Sequence, residues 1–272
     1  MKRKDEIAQE APARIVLCLG LKSSGSTWLY NVVSQVLENA ARPRRGQRAR
    51  AKTVQSFYAD TIEMFPKIDE RAHVLVIKCH IPSAGLLLLT RLMRGIVIVT
   101  VREPRDAIVS LMQRFGHPFE SSMKDVAQEA AQIVEIARAP ETRTLRYEDR
   151  FYEDVKTVSE IAALLGVRIS RAAQKKIYQS LRRDAVEKKI EVLKSKGRFG
   201  GVADPDRFDP KTQWHPGHVG DGKIGKYAAI LSTKQQHQII AATKSYCRKF
   251  GYSTKENTKR RARPGKRAKR LI

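Results

Sequence analysis

The sequence is poor in cysteine, in acidic residues and in long apolar runs. Its 272 residues include only 3 cysteines, and the first ten residues are polar and basic, without a signal-like apolar core. So few cysteines exclude a small disulfide-stapled fold, and together with the polar start they favour a reducing, cytoplasmic location. Apolar runs such as Leu86–Leu89 are far shorter than the ~20 residues of a membrane span, so we expect a buried helix there and no transmembrane segment.

Positive charge is in large excess and is concentrated in two runs. The chain has 53 Lys and Arg against 28 Asp and Glu, a net charge of +25. Residues 255–272 hold 9 basic residues and one acidic residue, and Arg42–Lys52 hold 6 basic residues and no acidic one. The two runs are either a solvated tail and loop or sites of contact with a polyanion such as nucleic acid, acidic lipid or a charged glycan.

Strand-like and helix-like segments alternate along the chain, which predicts an α/β fold with a parallel sheet flanked by helices. The predicted strands are Arg14–Gly20, Val74–Lys78, Ile96–Val101 and Thr142–Arg146. The predicted helices are Thr27–Ala40, Ser83–Arg94, Arg105–Phe115, most of Phe151–Lys196, and Ser232–Phe250, which Ser232 caps and Gly251 ends. The glycine-rich stretch Gly197–Tyr227 is expected to form a loop, either ordered over a site or disordered. We therefore expect one domain over residues 1–254, followed by a basic tail over residues 255–272.

The turn after the first strand, GLKSSGSTW from Gly20 to Trp28, has the composition of an anion-binding loop. Its small residues would let backbone N–H groups converge on an anion in front of the next helix. The G-x4-G spacing is that of a nucleotide triphosphate loop, but Ser26 stands where that loop requires lysine. A kinase or NTPase is therefore disfavoured, and Lys22 is placed to reach an oxygen of a smaller group. A connection that binds no ligand is the plain alternative.

Five segments in the same order resemble the motifs of the sulfotransferase family. SSGSTWLYN is similar to the family's phosphosulfate loop K-S-G-T-T-W, and IKCHIP at Ile77–Pro82 is similar to its K-x-H-x-P strand end. VREPRDAIVS at Val101–Ser110 resembles the R-x-P-R-D…S element, LRYED at Leu145–Asp149 the Y-E-D strand, and residues 217–227 the late G-x-x-G-D loop. The resemblance spans about residues 14–250. It implies a phosphate-loop α/β fold and transfer of a sulfuryl group from 3′-phosphoadenosine-5′-phosphosulfate (PAPS) to a hydroxyl or amine, with no metal.

The resemblance also implies roles for three catalytic residues. His80 follows a strand end and has a reference pKa near neutrality, so it is the expected base for the attacking hydroxyl. Lys78 lies two residues earlier on the same strand and can face the same side, where it would stabilise the sulfonate or the leaving oxygen. Lys22 lies one residue before the position of the family's loop lysine and is expected to share that task.

A larger set is expected to bind PAPS. It comprises Lys22, Ser23, Ser24, Gly25, Ser26, Thr27 and Trp28 of the phosphate loop, Arg102 and Ser110 at the 3′-phosphate, Tyr147 at the adenine with Trp28, and Gly220 and Lys223 of the late loop. In the late loop, His215, Pro216 and Gly217 replace the family's R-K-G, so the third cationic contact with the 3′-phosphate is either weaker or supplied by Lys223 or Lys226. The alternative for Arg102 is that it pairs with Glu103, Asp106 or Asp149. Arg105 and Asp106 are expected to form a structural pair.

The acceptor is less well defined by the sequence. The segments that would shape its site, Ala49–Asp69, Phe115–Ser122 and Gly197–Gln213, match no substrate signature, so a small molecule, a glycan or a lipid bearing a hydroxyl group fits equally. Two other classes of protein are retained as alternatives: a kinase or NTPase with a phosphate loop, and a basic nucleic-acid-binding protein in which the tail makes the contact.

Overall fold

A single parallel sheet forms the centre of the computed structural model, which describes residues 14–40, 53–199 and 208–255. The strands are β1 (Arg14–Gly20), β2 (Thr53–Tyr58), β3 (Ala72–Cys79), β4 (Ile96–Val101) and β5 (Arg143–Arg146). Their order in the sheet is β2-β3-β1-β4-β5, and all four pairings are parallel. The predicted α/β architecture is confirmed. β2 was not predicted, because its sequence TVQSFY has few apolar residues and it lies half-exposed at the edge of the sheet.

Ten helices surround the sheet within the described residues. They are α1 (Ser26–Ala40), α2 (Ala84–Leu92), α3 (Pro104–Phe115), α4 (Phe119–Ile136), α5 (Val155–Leu164), α6 (Arg171–Ser180), α7 (Arg183–Ser195), α8 (Tyr227–Ile230), α9 (Thr233–Ala242) and α10 (Lys244–Phe250). Short 3-10 segments cover Ile62–Met64, Tyr147–Asp149 and Phe151–Glu153. In the described parts of the chain, no helix is both long and apolar enough to cross a membrane.

The helix predictions need three corrections. The helix at Leu86–Leu89 is not buried as expected, since Leu88 is 58% exposed. The predicted final helix divides into α9 and α10 at Thr243, whose hydroxyl donates to the Ile239 carbonyl, although Ser232 and Gly251 bound the pair as expected. Helix α4 was not predicted: its first turn lies in a segment expected only to shape the acceptor site. Residues 42–52 and nearly all of the basic tail lie outside the described residues.

The sheet is buried on both faces, which explains the almost continuous apolar sequences of β1 after Arg14 and of β4. Leu17, Leu19 and Val99 face a core shared with α3, α4, α9 and α10. Val16, Cys18 and Ile98 face a second core shared with α1, α5, α6 and α7. The carboxyl ends of β1, β3 and β4 meet at one edge of the sheet, where ligands of open α/β folds bind.

Candidate functional site

The loop between β1 and α1 is held tightly against the end of β4. Ser24 is buried, and its hydroxyl lies 2.6 Å from Thr100 Oγ1 and 3.1 Å from the Thr100 carbonyl oxygen. A Cβ atom at Gly20 would lie 2.1 Å from Thr100 Oγ1, so only glycine fits at that position. Ser23 and Gly25 have positive φ angles of 65° and 91°, which bend the loop before the N-terminus of α1. This backbone is suited to hold an anion.

The side chain of Lys22 contacts helix α4. Its Nζ atom lies 2.8 Å from Asp125 Oδ2 and 3.4 Å from Glu129 Oε1, and its backbone N–H donates to Glu129 Oε2 at 2.7 Å. Burial alone would lower the pKa of Lys22, but these two carboxylates raise it. Burial raises the pKa of Glu129 to about 7, against the effect of Lys22. The amine predicted to face the sulfonate is therefore neutralised by acidic side chains in this structure.

Lys78 and His80 lie together at the carboxyl end of β3. His80 Nδ1 lies 2.8 Å from the Gly20 carbonyl oxygen, which can only accept, so Nδ1 carries the proton and Nε2 is a free acceptor. Burial and the charge of Lys78 lower the pKa of His80 to about 3. Lys78 is 3% exposed, and burial lowers its pKa to about 8. Its amine lies over the rings of Tyr58 and Phe208, at 5.8 and 5.6 Å from their centroids.

Sequence reasoning missed two residues of β2 and its following turn that hold this pair. Asp60 Oδ1 accepts hydrogen bonds from the backbone N–H groups of His80 and Ile81, at 2.9 and 3.1 Å. Asp60 Oδ2 accepts from the hydroxyl of Tyr58, the ring of which lies beside His80. Asp60 therefore fixes the backbone of the turn that carries His80. Its only signal in the sequence is an acidic residue after a polar edge strand.

Arg102 lies at the end of β4 and is 3% exposed. Its guanidinium group donates to the carbonyl oxygens of Ser23 at 2.9 Å and Lys223 at 3.1 Å, and it stacks 4.1 Å from the centroid of the Tyr147 ring. Its Nε atom is buried and has no partner among the described residues. No described carboxylate forms an ion pair with Arg102, so the alternative pairing with Glu103, Asp106 or Asp149 is not observed. The predicted anion-binding arginine thus bridges the phosphate loop and the late loop.

The neighbouring residues of α3 are structural, but not in the predicted pairing. Arg105 is fully buried and donates to both carboxylate oxygens of Glu103, at 2.8 and 2.9 Å. Asp106 instead accepts hydrogen bonds from the backbone N–H groups of Gly225 and Tyr227. The predicted Arg105–Asp106 pair is therefore wrong. Asp106 holds the end of the late loop.

A second arginine, Arg114 in the last turn of α3, faces the same region and was missed by sequence reasoning. Its Nε donates to the Gly217 carbonyl oxygen at 2.7 Å, and Nη1 donates to the Ser110 hydroxyl at 3.3 Å. Of the two lysines expected to supply a cation, Lys226 is bound to Gln113 and Asp221, while Lys223 is exposed and contributes its carbonyl oxygen to Arg102. Gly220 lies against the Arg114 side chain.

The late loop also contacts the start of α1 through His218. Its Nδ1 accepts from the His215 backbone N–H at 3.0 Å, so the neutral ring donates from Nε2 to Thr27 Oγ1, 2.6 Å away. Burial and the charges of Lys78 and Arg114 hold the pKa of His218 well below its usual value. The late loop therefore closes over the phosphate loop at Thr27.

The aromatic residues predicted to contact adenine lie near the phosphate loop. Trp28 packs on Phe151 with ring centroids 5.4 Å apart, and its buried Nε1 has no acceptor among the described residues. Tyr147 packs on Tyr152 at 4.6 Å as well as on Arg102. A Cβ atom at Gly25 would lie 3.0 Å from Phe151 and 3.8 Å from Tyr147. Within the described ranges, no group of His, Cys, Asp or Glu side chains is arranged to hold a metal ion.

Comparisons with known proteins agree with the fold. The mouse sulfotransferase SULT7A1 complexed with PAP has a similar fold, with a TM-score of 0.58 and 15% identity over 87% of this chain and 84% of that chain. A retinol dehydratase in complex with retinol and PAP is equally similar, with a TM-score of 0.58 and 14% identity over 87% and 82% of the two chains. A comparison of the sequence with curated proteins finds no match. The family model described as the sulfotransferase domain matches residues 14–204, more than half of the chain, and the chain belongs to this family.

Proposed function

We propose that the protein transfers a sulfuryl group from PAPS to a hydroxyl or amine acceptor and releases adenosine 3′,5′-bisphosphate. The observation that carries this proposal is the arrangement of His80 and Lys78. A histidine with an unprotonated Nε2 and a buried ammonium group lie together where β3 ends beside the anion-binding loop. The complexes of the structural neighbours with PAP support the choice of nucleotide.

Each residue then has a defined task. His80 accepts the proton of the attacking hydroxyl group at Nε2, as Nδ1 stays bound to the Gly20 carbonyl. Lys78 stabilises the negative charge that develops on the bridging oxygen as its bond to sulfur breaks. The N-terminus of α1, with Ser26 and Thr27, faces the 5′-phosphate, and Arg102 with Ser110 faces the 3′-phosphate. PAPS supplies the sulfuryl group itself.

We assign the catalytic charge to Lys78 rather than to Lys22 as part of this proposal. Lys22 is engaged with Asp125 and Glu129, and their negative charges offset its own. Lys78 has no described carboxylate within ion-pair distance, so its positive charge is available to an incoming anion. The Ser24 hydroxyl is likewise engaged within the protein, since it is bound to Thr100.

Nucleotide selectivity tests the proposal against a kinase or NTPase. Adenosine 3′,5′-bisphosphate should raise the melting temperature far more than ADP or ATP, because Ser26 replaces the lysine that would hold β- and γ-phosphates. An equal or larger rise with ATP and Mg²⁺ contradicts the proposal.

Turnover tests the catalytic assignment. The purified protein is incubated with radiolabelled PAPS and panels of phenol, steroid, glycan and lipid acceptors. On the acceptor that is sulfated, His80→Ala should lose ~10²–10⁴-fold in turnover and still bind the bisphosphate. Near wild-type turnover of His80→Ala would show that another group is the base.

We also propose a cytoplasmic location and contact of Arg42–Lys52 and the basic tail with a polyanion. The three cysteines are free and buried, which suits a reducing compartment. Removing residues 256–272 distinguishes a sulfotransferase from a nucleic-acid-binding protein. Polyanion binding should fall while sulfuryl transfer persists. Loss of both activities to the same extent contradicts this division of the chain.

A further inference from the structure

Two guanidinium groups lie where the late loop packs on the phosphate loop and α3: Arg102 donates to Ser23 and Lys223, and Arg114 donates to Ser110 and Gly217. Arg102 comes from the end of β4, and Arg114 comes from the last turn of α3. We propose that Arg114 is the second guanidinium of a phosphate-monoester site formed with Arg102 and Ser110, and that it determines the preference for a 3′-phosphorylated nucleotide. This inference rests on the proposed function and assigns the cation that the late loop lacks.

The side chain of Arg114 is fixed by its surroundings and is not a mobile surface group. The Gly217 carbonyl oxygen accepts from Nε at 2.7 Å, and the Ser110 hydroxyl accepts from Nη1 at 3.3 Å. Nη2 donates to no described residue. A phosphate bound beside Ser110 would meet the guanidinium group already oriented, so little conformational entropy is lost on binding.

The two glycines of the late loop are what permit this arrangement. A Cβ atom at Gly217 would lie 2.8 Å from the Arg114 carbonyl oxygen, and one at Gly220 would lie 2.9 Å from Arg114 Cδ. Both distances are shorter than normal contacts, so a larger residue at either position would push the loop away from α3. The two glycines of this G-x-x-G segment thus allow the late loop to pack closely against Arg114.

The charges around Ser110 are not balanced by the described protein groups. Neither Arg102 nor Arg114 forms an ion pair with a carboxylate in the described ranges, and Arg102 Nε is buried without a partner. Burial and the charge of Arg102 lower the pKa of Arg114 to about 10. Two adjacent cations that destabilise each other are stabilised together by a dianion, which a phosphate monoester supplies.

Other cations of the late loop do not fill this position. His215, Pro216 and Gly217 replace the family's R-K-G, and the Lys226 amine is bound to Gln113 and Asp221. Arg114 contacts the late loop from α3, where it lies one helical turn after Ser110 and donates to the Gly217 carbonyl oxygen.

Binding of two nucleotides that differ only in the 3′-phosphate tests the inference. Affinities for adenosine 3′,5′-bisphosphate and for adenosine 5′-monophosphate are measured by calorimetry on the wild type, Arg114→Gln and Arg114→Lys. Arg91→Gln, at an exposed position on α2, controls for the loss of one positive charge. Arg114→Gln should weaken bisphosphate binding roughly 10- to 100-fold and change monophosphate binding less than about twofold. Arg114→Lys should fall between the wild type and Arg114→Gln.

Three outcomes overturn the inference, and a fourth overturns the proposed function on which it rests. Arg114 does not bind the 3′-phosphate if Arg114→Gln leaves the bisphosphate affinity unchanged, or if it lowers the affinities for both nucleotides equally. If Arg114→Gln does not fold, the two nucleotide affinities of Arg114→Lys decide instead. A loss of affinity for the bisphosphate alone supports the inference, and wild-type affinity for the bisphosphate contradicts it. A wild type that binds both nucleotides equally refutes the proposed function itself, and that result needs no variant.

Discussion

Replacing Lys78 with methionine should make the protein more stable and less active. Lys78 is 3% exposed and lies between the rings of Tyr58 and Phe208, with no described carboxylate within ion-pair distance. Burial lowers its pKa from 10.5 to about 8. Because one pKa unit corresponds to about 1.4 kcal/mol, keeping this amine charged costs the folded protein roughly 3 kcal/mol. Methionine has a similar length and no charge, so Lys78→Met removes that cost.

The pH dependence distinguishes this cause from general repacking. The pKa of Lys78 is lower in the folded than in the unfolded protein, so the unfolded chain binds more protons between pH 8 and 10.5. The stability of the wild type therefore rises over that interval, and the advantage of Lys78→Met should be full below pH 8 and nearly gone by pH 10.5. At pH 7 the melting temperature should rise by roughly 6–12 °C.

Thermal unfolding at pH 7, 8.5 and 10 measures this advantage, with Lys234→Met on the exposed face of α9 as the control. Turnover of Lys78→Met should fall on the order of 100-fold, as for loss of one donor to a developing oxyanion. An advantage that stays constant with pH, or a variant less stable than the wild type at pH 7, refutes the view that Lys78 carries a buried, uncompensated charge.

Three further variants test the elements around this pair. Lys22→Ala should keep turnover within about tenfold of the wild type and lower the melting temperature, because it leaves buried Glu129 without its ion-pair partner. A loss of turnover as severe as that of Lys78→Met would show that Lys22 acts on the sulfonate. Gly20→Ala should lower the free energy of unfolding in urea by roughly 1–3 kcal/mol or more, because the added Cβ would clash with Thr100. Gly85→Ala is the control: its Cβ would lie 3.6 Å from the nearest atom, so stability should be unchanged or higher. Asp60→Ala should lower kcat more than it raises KM for PAPS, and an unchanged kcat would exclude a positioning role.

The predicted strands and phosphate loop follow from strong local signals in the sequence. Ile96–Val101 matches the predicted strand in full, because a parallel strand buried on both faces is almost continuously apolar, with Thr100 as the one polar residue here. The edge strand β2 has a weak signal, since TVQSFY has few apolar residues. Helix α4 has a helical apolar pattern and was missed because its first turn, FESS, lies in a segment expected to shape the acceptor site. These two missed elements carry Tyr58, Asp125 and Glu129, so the surroundings of Lys78 and Lys22 were not predicted either.

The side-chain partners depend on contacts across long stretches of sequence. Lys22 was expected at the sulfonate because of its position in the loop, but its amine pairs with Asp125 and Glu129, which lie 103 and 107 residues later in the sequence. Arg114 lies within a helix that was predicted correctly, yet nothing local marks it as a binding residue. Its role emerges only when the late loop is folded against α3. The roles of the predicted site residues stay predictions until they are tested.

The buried charges at the start of α3 bear on where an autonomous folding unit ends. Arg105 is fully buried and donates to the carbonyl oxygens of Ser253 and Lys255, while Asp106 accepts from the backbone of Gly225 and Tyr227. A fragment that stops at residue 204, where the match to the family model ends, would leave these groups without partners in the interior. The match to the family model therefore ends inside a folding unit. The residues after it are needed for a stable fold, as the sheet is.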